Sequence, residues 1–285
     1  MIKQKTFGIY QFIRNGDYYD YPFRESLLSA LPIADELIVC ECFSDKDDTY
    51  NELLKFKKEF DINNKIKIVR HDWVTNFTQL SQIGNYSASF LNTEWIWHLQ
   101  SDEVIHEDSY EEINYIKETY TSNSYNFPQV NAFKVNYTHL LGNYSTEFDF
   151  CYKSIIRISR KDSEWALVGD ACELGGGDIN KVKDSNIKVF HYGKVHEGKV
   201  GFRKEVDFQE LFRSIGFPDP KMKIMQEFLG EDFCDYLFLF ENSIKEGKVR
   251  KFDGNHPKVM EKRIKEFKDK GYEQFISRIK KELKL

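Results

Sequence analysis

WIWHLQSDEVIHE, residues 95–107, is the stretch on which the reading of this chain turns. An apolar run of strand length, EWIWHL (94–99), stops on Gln100-Ser101-Asp102-Glu103, and a helical pattern follows. A strand that ends on two adjacent carboxylates either ends in ordinary surface charge or holds something there. The surrounding chain bears on which.

Upstream, strand and helix alternate. TFGIYQFI (6–13), ELIVCECF (36–43) and KIKIV (65–69) are further short apolar runs. YPFRESLLSALP (21–32), TYNELLKFKKEF (49–60) and FTQLSQIGNYSASFL (77–91) carry helical spacing between them. Such alternation predicts an α/β fold, a mostly parallel sheet flanked by helices. Ligands of these sheets lie beyond the carboxyl ends of the strands. The loops after each strand therefore matter most: Arg14-Asn15, Glu41 to Thr49, His71-Asp72 and Gln100 to Glu103.

Downstream, SYEEINYIKETY (109–120) reads as a helix, and VNAFKVNYTHLL (130–141) and YKSIIRISR (152–160) as strands. A Gly-rich VGDACELGGGD (168–178) follows, then IKVF (187–190), a strand ending on His191. From about 200 the pattern is mostly helical, with a break at SIGFPDPK (214–221). Residues 1–200 are expected to form an α/β domain and 201–285 a helical extension packed on it.

Of the 285 residues, 41% are apolar and 31% charged, as in a soluble globular protein. The net charge of −5 argues against general nucleic-acid binding. No apolar run approaches the roughly 20 residues that span a bilayer. The lysine-rich end, 261–285, reads as a solvated helix face, so membrane contact has no support. Five cysteines without a CxxC, and an N-terminus that reads as a strand rather than a signal peptide, point to a cytoplasmic protein.

No GxGxxG follows the first strand and no GxxxxGK[ST] occurs, so glycine amides alone do not cradle a nucleotide's phosphates. A metal held by carboxylates is an alternative. Asp102 and Glu103 are hard oxygen donors suited to Mg²⁺ or Mn²⁺, and His191 at a later strand end would favour Mn²⁺. A buried histidine satisfied by backbone is the plainer account of His191. A zinc protease is a poor match, since HEDSY (106–110) has Tyr110 where HExxH needs histidine.

Four segments carry a resemblance. They are FIRNGDYYDYPFRESLLSALPIADELIVCECFSDKDDT (12–49), LQSDEVIHE (99–107), FHYGKV (190–195) and FDGNHPKVMEKRI (252–264). In this order and spacing the chain resembles family 2-like glycosyltransferases of the GT-A fold, in particular a bacterial group of sugar transferases. The resemblance makes QSDE a form of the DxD motif with Gln100 in place of the first Asp. Asp102 then matches the metal-binding Asp, Glu103 its acidic neighbour and His191 the late metal- or diphosphate-contacting histidine. Gln100 leaves metal dependence less firmly implied than a full DxD would. Arg14 and Asn15 fall where relatives contact the nucleotide, and Glu41 or Asp45 falls near the residue that reads the base.

The activity implied is transfer of a sugar from a nucleotide-diphosphate donor to the hydroxyl of a glycan or other acceptor, inverting and metal-dependent. Asp170 occupies the acceptor-side position of the general base, with Glu173 second and a plain turn carboxylate as the alternative. Lys194, Arg203 and Lys204 are placed to pair with phosphates or are surface lysines and arginine. Trp73 stacks on a base or sugar ring or packs in the core. His256-Pro257 reads as a structural helix start. A non-catalytic glycan- or nucleotide-binding protein on the same fold is the main competitor, motivated by Gln100. A sugar-nucleotide pyrophosphorylase ranks lower, since FIRNGDYYDY lacks a Gly- and basic-rich opening.

Overall fold

Phe7–Ile13 (β1) is buried on both sides, as a strand inside a doubly covered sheet must be. Phe23–Ala30 (α1) follows, then Glu36–Glu41 (β2), Thr49–Phe60 (α2), Ile66–Arg70 (β3), Leu80–Ser89 (α3) and Trp95–His98 (β4). The computed structural model describes residues 6–121, 129–149, 152–196, 199–213, 241–268 and 271–283. The SIGFPDPK break lies outside these residues.

The four strands pair in parallel in the order β3-β2-β1-β4. Asp35 fixes the start of β1, its Oδ2 accepting from the amides of Thr6 and Phe7 at 2.9 and 3.0 Å while Lys117 pairs with its other oxygen. Phe7, Ile9, Trp95 and Trp97 are fully buried and form the main core with Leu27, Leu37 and Ile113.

The helix expected over 109–120 is Tyr110–Thr119 (α4), but a short strand that the sequence reading lacks, Glu103–Ile105 (β5), precedes it. Three residues are too few to display a period of two, so this strand leaves no signature of its own. Ala132–Leu141 (β6), Asn143–Phe148 (β7) and Ser154–Arg160 (β8) continue the sheet. β8 lies antiparallel between β4 and β6, so β6 runs the same way as β4. The Gly-rich stretch folds as a small hairpin, Ala166–Leu167 (β9) with Leu174–Gly175 (β10).

Val182–His191 (β11) runs parallel to β6 and antiparallel to β5. The carboxyl ends of β1, β4 and β11 therefore open on one side. Beyond them come Lys199–Arg213 (α5), Glu241–Lys245 (α6), Val249–Lys251 (β12), Glu261–Glu266 (α7) and Tyr272–Leu283 (α8). β12 pairs with β7, a strand in a region that reads as helical from sequence. α7 is moored to the first loop, with Arg263 donating to the backbone and carboxylate of Asp20. Tyr192 donates to His256 Nδ1 while His256 Nε2 donates to the Tyr144 carbonyl, so that histidine is a structural clamp.

Candidate functional site

The register of β5 on β11 builds the site. His191 lies opposite Glu103, and the Tyr192 amide donates to the Asp102 carbonyl at 2.9 Å. Residues some ninety apart in sequence are thereby brought to one strand end. Gly193 is required there: a Cβ on it would lie 2.3 Å from Asp102 Oδ2 and 2.8 Å from His191 Cε1.

A cavity of about 570 Å³ opens at this end of the sheet. Of the expected residues, Arg14, Asn15, Trp73, Asp102, Asp170, His191, Lys194 and Lys204 line it. Lys46 and Asp207 add a cation and a carboxylate to the wall. Four cations, Arg14, Lys46, Lys194 and Lys204, thus face the cavity with three carboxylates, Asp102, Asp170 and Asp207, in a chain whose net charge is −5.

The first loop is tied to the second by Asn15. Its φ of 54° is left-handed, which Asn tolerates, and its side chain accepts from the amides of Asp45 and Lys46 and donates to Asp45 Oδ1 at 3.0 Å. Asp45 Oδ2 pairs with Arg14 at 2.8 Å. Asn15 first, and Arg14 after it, hold the Asp45 carboxyl below its ordinary value against the opposing effect of burial. Asp45 itself does not line the cavity; it orients two residues that do. The Arg14 guanidinium sits 5.5 Å from the centre of the Trp73 ring.

Glu41 is fully buried, accepting from the Ser44 amide at 2.6 Å and pairing with Arg70 at 2.7 Å, away from the cavity. Glu173 is exposed and off the cavity wall. Asp170 sits in the turn between β9 and β10, where Gly169 and Ala171 have positive φ, and its Oδ1 accepts from the Cys172 amide at 3.1 Å. That is the turn role foreseen for it, in a position that also faces the cavity.

The two carboxylates of the opening motif part company. Glu103 Oε1 pairs with Arg157 at 2.7 Å, both side chains fully buried, and Oε2 accepts from the Gln100 amide at 2.9 Å. Burial pushes its carboxyl up to about 7 against the pull of Arg157. Asp102 Oδ2 instead meets Lys204 Nζ at 3.2 Å and lies 3.7 Å from His191 Nε2. Burial would raise Asp102, but Lys204 and then His191 bring it down to about 2. Burial lowers His191 to about 4, so its ring is neutral at pH 7.

Mg²⁺ and Mn²⁺ take several ligands at about 2.0–2.2 Å, oxygen donors above all. The donors expected of Asp102, Glu103 and His191 do not fit one. Glu103 has both oxygens engaged elsewhere, and Lys204 stands at Asp102 Oδ2, the oxygen that faces His191. Among the described residues, no three His, Cys, Asp or Glu side chains gather as a metal-holding group.

Arg157 and His98 escaped the reading of the sequence. Arg157 Nη1 contacts His98 Nδ1 at 2.6 Å beneath the cavity. An arginine at an inward position of the apolar strand IIRIS is the signal that marks it. Asp207 carries no such signal. It accepts from Tyr19 and Lys46 at 2.7 and 2.6 Å, which holds α5 over the first loops.

No family model and no curated protein matches the sequence. Solved structures do. S. aureus TarS 1–349 in complex with UDP-GlcNAc is 13% identical with a TM-score of 0.45, covering 85% of this chain and 77% of that one. Its complex with UDP gives 13% and 0.43 over 82% and 74%. A mycobacterial protein gives 14% and 0.43 over 76% of each chain. Against S. aureus TarS, the match covers 46% of that chain.

Proposed function

We propose that this protein is a glycosyltransferase that moves a sugar from a nucleotide-diphosphate sugar to an acceptor hydroxyl, with inversion at the anomeric carbon. The observation that carries the reading is the cavity at the shared carboxyl ends of β1, β4 and β11. Its volume is in the range of small-molecule sites, and Arg14, Lys194 and Lys204 give it cations suited to an anionic ligand. The ordered sequence segments that resemble family 2-like transferases supply the reaction class. Trp73, beside Arg14, offers a flat face for the base or sugar.

Asp170 is the base in this reading, since it faces the cavity and Glu173 does not. The acceptor oxygen forms its bond to the anomeric carbon as the bond from that carbon to the diphosphate oxygen breaks. The acceptor proton passes to the Asp170 carboxylate, and the nucleoside diphosphate leaves with the electron pair.

The test needs no acceptor, because water can serve as one. Purified protein is incubated with UDP-, GDP-, dTDP- and CMP-sugars beside Asp170→Asn, and nucleotide release is followed. Release from one donor, reduced about a hundredfold or more in the variant with donor binding retained, is the expected result. Binding without release under any acceptor tried would instead indicate a binding protein. Absence of both would overturn the reading.

A further inference from the structure

The residues that ought to hold a metal are already neutralised by the protein's own cations. Lys204 reaches Asp102 from α5, donating to Oδ2 at 3.2 Å and to the Gly193 carbonyl at 2.8 Å. Its ammonium lies 4.4 Å from the centre of the Tyr21 ring, and the residue is only 9% exposed. A buried ammonium needs compensation, and a carboxylate, a carbonyl and the ring faces of Tyr21 and Phe208 are among the groups that supply it. The carbonyl comes this close only because residue 193 has no side chain to strike Asp102 and His191. A divalent ion shared by Asp102 Oδ2 and His191 would have to displace Nζ and then sit beside the charge it displaced. His191, on the same cavity wall, keeps a buried Nδ1 with no hydrogen-bond partner among the described residues.

We propose that Lys204 is the cation that meets the donor's diphosphate, in the role the resemblance gives to a divalent metal, with Asp102 as the carboxylate that positions it. The inference rests on the transferase reading above. As the bond from the anomeric carbon to the diphosphate oxygen breaks, negative charge grows on the leaving group. A fixed ammonium beside it stabilises that charge without any proton changing hands. His191, on the same wall, contributes a hydrogen-bonding ring to the same phosphates.

The test is calorimetric binding of UDP, GDP, dTDP and inorganic pyrophosphate to the full chain in EDTA and in Mn²⁺. Wild type is expected to bind at least one of them in EDTA, with Mn²⁺ changing the dissociation constant by less than about threefold. Lys204→Ala weakens binding about thirtyfold or more in either condition, and Lys204→Arg restores most of it. These magnitudes follow from the loss of one charge-assisted contact. In Asp102→Asn the amide oxygen and the Gly193 carbonyl still accept from Lys204 and keep it positioned, while a negative charge beside the phosphates is gone, so binding in EDTA tightens. A metal site predicts the reverse, and this arm stands even if Lys204→Ala fails to fold. Binding that requires Mn²⁺ and is lost in Asp102→Asn overturns the inference and leaves the transferase reading intact. Unchanged binding in folded Lys204→Ala overturns it too. No binding of any probe in either condition overturns both.

Discussion

Replacing Arg157 with methionine removes the only described side-chain cation that touches Glu103. Both side chains are fully buried at 2.7 Å, and neither can be rehydrated without opening the sheet between β4 and β6. The methionine fills much of the same volume, so the cost is electrostatic. An ion pair broken from one side in such a site costs about 3–5 kcal/mol, because the remaining carboxylate must stay charged in a dry site or take up a proton there. His98 Nδ1 loses its partner as well, which adds about 1 kcal/mol. The assay is urea unfolding at pH 7.5 followed by tryptophan fluorescence, for which the fully buried Trp95 and Trp97 are reporters. Glu103→Gln added to Arg157→Met removes the orphaned charge and should recover about half the loss or more, since Gln still accepts from the Gln100 amide. Arg157 is what holds that carboxyl down to about 7, so in Arg157→Met it takes up its proton at higher pH, and the deficit should shrink as pH falls towards 7. A single variant costing less than about 1 kcal/mol, or a double variant no better than the single, would refute the reasoning.

Gly193→Ala should cost about 1–3 kcal/mol of stability and weaken diphosphate binding at least tenfold, since its Cβ would fall 2.3 Å from Asp102 Oδ2; calorimetry and thermal unfolding check both. Stability should also fall steeply on mild acidification. His98, His139, His191 and His196 are held below the ordinary value of 6.5, chiefly by burial, with His139 near 3 and His191 near 4. Each stays neutral when folded but protonates when unfolded, so its contribution is whole above pH 6.5 and declines below it by about 1.4 kcal/mol per pH unit. Glu103, raised from 4.5 to about 7, works the other way and cancels one of the four. His256, lowered by burial as well, adds to the same side, so the net is about three to four protons, or roughly 4–5 kcal/mol per pH unit between pH 6 and 5. Urea midpoints measured in EDTA should drop accordingly, and a flat profile there would contradict the burial of these rings. Trp73→Ala should weaken nucleotide binding about five- to twentyfold with little change in unfolding midpoint, as loss of a stacking face would.

The alternating half of the fold was legible because each of its strands is an apolar run bounded by a helix of amphipathic spacing. EWIWHL and TFGIYQFI are long enough to declare themselves. β5 and β12 are not. Each has three residues, and each exists because a longer partner, β11 or β7, offers it a register. The site followed the same division. Arg14, Asp102, Asp170 and His191 sit at strand ends or in the Gly-rich turn, where topology alone directs attention. Asp207 reaches the cavity from the middle of a helix whose sequence, KVGFRKEVDFQELFR, shows several charges of equal apparent standing. Which of them points inward depends on how α5 docks, and only tertiary contacts decide that. Lys204 was within view of the sequence as a phosphate partner, but its attachment to Asp102 was not.

Two adjacent carboxylates at a strand end invite the thought that they act together on one ion. Asp102 lies in the turn that the Glu103 amide closes on the Gln100 carbonyl, while Glu103 opens β5. Adjacent in sequence, the two side chains leave the turn towards different partners. Glu103 turns to Arg157 of β8 and ties the turn into the sheet, while Asp102 meets Lys204 of α5 at the cavity. The first pair is sealed, with no exposure on either side, and its replacement should be felt in stability. The second borders the cavity, and its replacement should be felt in anion binding. Asp102 and His191 do face a common point, 3.7 Å apart, but Lys204 already lies on that oxygen of Asp102. On the proposed reading that ammonium, rather than an ion shared by two carboxylates, supplies the positive charge beside the donor's leaving phosphates.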